Sequence, residues 1–81
     1  MAGVGTATLS GRDRALLRAV AAGRCELGSG WQPVLLIDGL ACADSAAGQR
    51  LVTGGLIDPP HPERPLVPAT ITPLGWRALA S

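Results

Sequence analysis

Few side chains in this 81-residue chain could carry chemistry, and their spacing keeps them apart. His61 is the only histidine and lies among prolines, with no neighbour in sequence to orient it as a general base. Cys25 and Cys42 lack the CxxC spacing of a redox or zinc pair, and a zinc site using both with His61 would need an Asp or Glu to complete it. Each thiol is therefore read as a small buried hydrophobe. Gly28-Ser29-Gly30 lacks the Lys-Ser/Thr of a phosphate loop and the third spaced glycine of a dinucleotide fingerprint. No serine sits in a Gly-x-Ser-x-Gly setting and no carboxylate pair stands out, so no catalytic residue, metal or cofactor is assigned. The expectation is a binding protein, not an enzyme.

Binding must then be argued from charge and surface. The formal net charge is +1 and every basic residue is an arginine, so a nucleic-acid footprint would have to come from local clustering. The N-terminus lacks the charged and apolar regions of a signal peptide, and no stretch approaches the ~20 apolar residues that span a bilayer. A cytoplasmic protein with no membrane partner is expected.

A chain of this length supports one domain, placed over residues 10–81, with residues 1–9 as a frayed arm. Ser10, with Asp13 three residues on, caps a first helix that runs toward Gly23 and turns Leu16, Leu17, Val20 and Ala21 inward. Arg12, Arg14 and Arg18 fall largely off that stripe, where they could also be a solvated face with local charge pairing. Cys25-Glu26-Leu27 can form a very short strand. Residues 34–37 fit either a buried strand ending in the Asp38-Gly39 turn or a helix with Pro33 at its first position and Leu36, Gly39, Leu40 and Ala43 on one face; the helix is preferred. Asp44 caps the next helix, over residues 44–54, with Ala47, Leu51 and Val52 inward and Ser45, Gln49, Arg50 and Thr53 outward. Five prolines make residues 58–68 an exposed loop, after which residues 66–71 return to pair with Leu56 and Ile57. Thr72 caps a last helix with Pro73 at its first position, Ile71 meets Trp76 as a hydrophobic staple, and Trp76 and Leu79 seal the core. With no Phe or Tyr, Trp31 and Trp76 are the only large anchors.

The run Arg50-Leu51-Val52-Thr53-Gly54-Gly55-Leu56-Ile57, then a loop, then Ile71-Thr72-Pro73-Leu74-Gly75, resembles the winged-helix transcription regulators of the MarR-like type. There a recognition helix ends in a leucine and a Gly-Leu-Ile, and the wing returns into a Leu-Thr-Pro-x-Gly segment. The wing-tip Asp-x-Arg-x-basic signature is replaced here by His61-Pro62-Glu63-Arg64-Pro65. The resemblance implies an α+β winged helix-turn-helix of three to four helices with a small antiparallel β-wing. It implies a transcriptional regulator that acts by occupying double-stranded DNA, as a homodimer or within a larger complex. Gln49 and Arg50 would then read bases, Ser45 and Thr53 would serve phosphates or weaker base contacts, Arg64 and His61 would sit on the wing, and Arg12 or Arg14 would add phosphate contacts.

The alternative is a winged-helix protein-interaction module. DNA binding predicts that positive charge gathers around residues 44–54 and the wing. Docking predicts an exposed apolar patch, with Trp31, Leu66 and Val67 as its candidates.

Overall fold

A computed structural model describes residues 9–80 as a small α+β domain of three helices and a four-stranded antiparallel sheet. The expected arm lies outside these residues apart from Leu9, which is half-buried and packs against the core rather than fraying.

Helix α1 (Gly11–Ala21) starts as its sequence requires, with the Ser10 hydroxyl accepting the Asp13 N–H at 3.0 Å. Leu16, Leu17, Ala19 and Val20 bury its inner face. The chain then forms β1 (Cys25–Gly28), β2 (Leu35–Ile37) and β3 (Leu40–Ala41). The preferred helix over residues 34–37 is thus corrected to a β-hairpin. Its turn explains the choice: Asp38 and Gly39 both take positive φ, 53° and 82°, as a two-residue type I′ hairpin demands. A helix would have to place Gly39 in its interior, whereas the hairpin uses the freedom that glycine offers. Among the described residues no helix precedes α2 across a turn, so that part of the helix-turn-helix expectation is not met.

Helix α2 (Ala47–Thr53) begins three residues later than expected. Asp44 does not cap it directly; its carboxylate accepts the Ala46 N–H at 3.1 Å and shapes the turn that leads in. Ala47, Gly48 and Leu51 are buried, and Gly54 and Gly55 end the helix as read from the sequence. Gly48 lies so close to β2 that a Cβ there would stand 2.7 Å from the Pro33 carbonyl oxygen. The hairpin is therefore the floor on which α2 rests.

The return through the proline loop divides its pairing. Ile57 bridges Ile71, with Asp58 N–H donating to the Thr70 carbonyl and Thr72 N–H to that of Leu56. Strand β4 (Leu66–Pro68) leaves this ladder and pairs with β1, placing Val67 opposite Leu27, where pairing along residues 66–71 with Leu56 and Ile57 had been expected. The sheet order is β3-β2-β1-β4. Ala69 N–H donates to Cys25, so by antiparallel alternation Pro68 occupies a position whose nitrogen faces away from β1 and costs the ladder nothing.

Helix α3 (Pro73–Ala80) opens as expected, with the Thr72 hydroxyl accepting the Gly75 N–H at 3.0 Å and donating to the Gly55 carbonyl at 2.5 Å. Its inward positions are Gly75, Ala78 and Leu79. Trp76 is 53% exposed and Trp31 87%, so neither tryptophan anchors the core. Leu17, Leu27, Leu35, Leu51 and Ile57 fill it instead, aliphatic residues of a size that three short helices and a small sheet can enclose.

Candidate interaction surfaces

Five of the eight residues singled out for binding come to one side of the molecule. Gln49, Arg50 and Thr53 line a shallow hollow along α2, and Arg12, Asp44 and Ser45 line a second at the start of α1. A third hollow, containing Arg12, Asp13, Asp44 and Arg50, joins the two. Gln49 and Thr53 are exposed, as expected of an outward face.

Arg50 is not a loose cation on that face. Its guanidinium holds Asp13 through two hydrogen bonds, Nε at 3.1 Å and Nη2 at 2.5 Å, and its Nη2 lies 3.0 Å from Asp44. These hydrogen bonds, that to Asp13 first, raise the Arg50 pKa further. The Asp44 carboxyl is held below its ordinary range, chiefly by Arg50 and then by the Ala46 N–H. Arg12 and Arg50 are therefore balanced by Asp13 and Asp44, and no positive cluster forms.

Arg14 is directed elsewhere. Its Nη1 donates to the carbonyls of Ala78 and Leu79, both at 3.2 Å, where it satisfies the C-terminal end of α3. His61 and Arg64 line a different hollow beside the proline loop, which shares no residue with those at α2. His61 Nδ1 accepts the Glu63 N–H at 3.1 Å, which puts the proton of the neutral ring on Nε2. Arg64 makes no side-chain hydrogen bond or ion pair among the described residues, but Asp58 and Glu63 share its loop.

The other surface was not legible as a unit in the sequence. All three helices contribute to a core that includes Cys25, Leu27 and Leu35, so the side chains alternating with these face outward. Register puts Glu26 between Leu36 and Pro68, and Gly28 between Val34 and Leu66, on that outer face. Ala41, opposite Leu36, extends it onto β3. Val34 is 46% exposed and Leu66 43%, and Trp31 stands on the loop leading to Val34. Leu66 and Trp31 are exposed as the docking alternative expects, whereas Val67 turns half-buried toward the core. The side chain of Glu26, on one of the two inner strands, has no hydrogen-bond or ion-pair partner among the described residues. The missed signal is the alternation in Cys25-Glu26-Leu27-Gly28, which becomes informative only once residues 34–37 are taken as a strand.

Among the described residues no three His, Cys, Asp or Glu side chains gather as a metal-ligand set, and no helix is long and apolar enough to cross a membrane. No family model, curated protein or solved structure matches the chain.

Proposed function

We propose that this chain is a variant of the winged helix in which the β2-β3 hairpin takes the place of the helix before α2, and that it works as a non-enzymatic protein-docking module. The winged-helix part rests on the order α2, Gly54-Gly55, the Ile57 to Ile71 bridge around the proline loop, and the Thr72-capped α3. The docking part rests on one observation: apart from Glu26 the outer face of the sheet is apolar like the inner one, and among the described residues the helices cover only the inner face. Sheets whose strands are apolar on both sides are ordinarily covered on both sides.

A second reading keeps the α2 face as a double-stranded DNA surface, supported by the exposed Gln49 and Thr53 beside Arg12 and by a wing that follows. The charge balance around Arg50 makes it the weaker of the two, because phosphate contacts supply most of the affinity in such complexes.

Site-specific photocrosslinking in cells that make the protein separates the readings. A crosslinker at position 66 is expected to trap protein, and one at position 49 to trap none. Crosslinks from position 49 to DNA, with none to protein from position 66, would reverse the assignment.

A further inference from the structure

We infer that the outer face of the sheet receives an amphipathic protein segment carrying a basic residue among apolar ones, with Glu26 selecting that residue. This inference rests on the docking reading and adds to it the charge of the partner.

The reason is the position of Glu26. It projects from the inner strand β1, flanked across the strands by Leu36 and Pro68, with Val34 and Leu66 in the next row. Its carboxylate has no partner among the described residues. A segment laid over this face would remove the carboxylate from water, which is costly unless a cation meets it. An apolar partner, an acidic one, a DNA backbone and an anionic surface would all leave that carboxylate uncompensated. A second copy packed face to face about a two-fold axis through β1 would oppose one Glu26 with another. A Lys or Arg in an otherwise apolar stripe satisfies both the charge and the surrounding Val34, Leu36, Leu66 and Pro68. A helix suits the shape, since it would form the missing third layer of the sheet.

The test uses two synthetic amphipathic helical peptides with a leucine stripe, one carrying Arg at the centre of the stripe and one Glu. Binding is followed by fluorescence anisotropy against the full chain, Glu26→Gln, Glu26→Arg and Leu66→Asp, with circular dichroism as the check on folding. The unmodified chain should bind the Arg peptide about tenfold more tightly than the Glu peptide, a difference of ~1.4 kcal/mol. Glu26→Gln should lose that preference, Glu26→Arg should invert it, and Leu66→Asp should weaken both peptides. Equal binding of the two peptides, unchanged by Glu26→Arg but abolished by Leu66→Asp, overturns the charge selection and leaves docking intact. Absence of binding by either peptide overturns both. Sedimentation showing a dimer that Leu66→Asp dissolves and Glu26→Arg does not would assign the face to a second copy, and also overturn the inference.

Discussion

Asp44 and Asp38 make local contacts with a definite consequence in acid. Asp38 pairs with Arg24, whose Nη2 lies 2.6 Å from the carboxylate, and its carboxyl is held below the ordinary range by that hydrogen bond, as that of Asp44 is by Arg50. A carboxyl whose folded pKa is depressed adds stability that is complete above its unfolded pKa and is lost as pH falls through the folded one. Urea midpoints should therefore change little between neutrality and about pH 5 and then fall as pH drops below the ordinary value of 3.8, with Asp44→Asn and Asp38→Asn each showing a shallower fall. A midpoint independent of pH down to 3 would contradict these pairings. The cysteines give a second measurement. Cys25 is 2% exposed and burial raises its thiol pKa, whereas Cys42 is only half-buried. Iodoacetamide should modify Cys42 first, and Cys25 at a comparable rate only in denaturant; mass spectrometry after limited reaction checks the order. At this scale the local caps were legible in the sequence, because Ser10 with Asp13 and Thr72 with Gly75 lie three residues apart. The partners of Arg50 and Arg14 were not, since Asp13 is 37 positions from Arg50 and the α3 carbonyls are more than 60 from Arg14.

Between elements, two glycines set how closely backbones approach. At Gly75 a Cβ would collide with the Leu56 carbonyl oxygen and stand 2.6 Å from the Ile71 side chain; at Gly48 it would meet the Pro33 carbonyl. In both places the obstacle is backbone, which cannot swing aside as a side-chain tip can. Gly75→Ala and Gly48→Ala should each destabilise the domain by about 1–3 kcal/mol in chemical denaturation. Gly11→Ala, with nothing within 4 Å, should leave stability unchanged or slightly raised. If all three behave alike, the close packing of α2 and α3 is misassigned. The same elements mark what the sequence could reveal. The ends of α1 and α2 and the start of α3 carry local signals of capping and glycine termination. Residues 34–37 carry two competing signals, and the deciding contacts lie in other elements: Leu35 against Leu27 on β1, and Pro33 beneath Gly48 on α2. The departure of β4 toward β1 has the same origin, for residues 66–68 suit either neighbour and only the sheet as a whole selects one.

Taken as a whole, the molecule relies on aliphatic side chains with no aromatic residue buried among them. Stabilities of about 0.05–0.15 kcal/mol per residue are usual, so a domain this small holds little in reserve. Leu51→Ala or Leu17→Ala, at positions 1% and 0% exposed, should cost about 2–5 kcal/mol and leave a chain partly unfolded at ambient temperature, visible in circular dichroism melts. Leu74→Ala, at a position 50% exposed, should melt nearly as the unmodified chain does. The outer sheet face was the part least legible in the sequence, because an exposed valine or leucine reads like a core residue until the strand that carries it is placed. That face would be a hazard on many small proteins. Here the proline at position 68 withholds an amide from the outer margin of β4, and β3 at the opposite margin is two residues long. The sheet can therefore show apolar side chains on its broad face while its margins offer only a short and interrupted template for lateral growth into fibrils, which favours recognition of a partner over uncontrolled polymerisation.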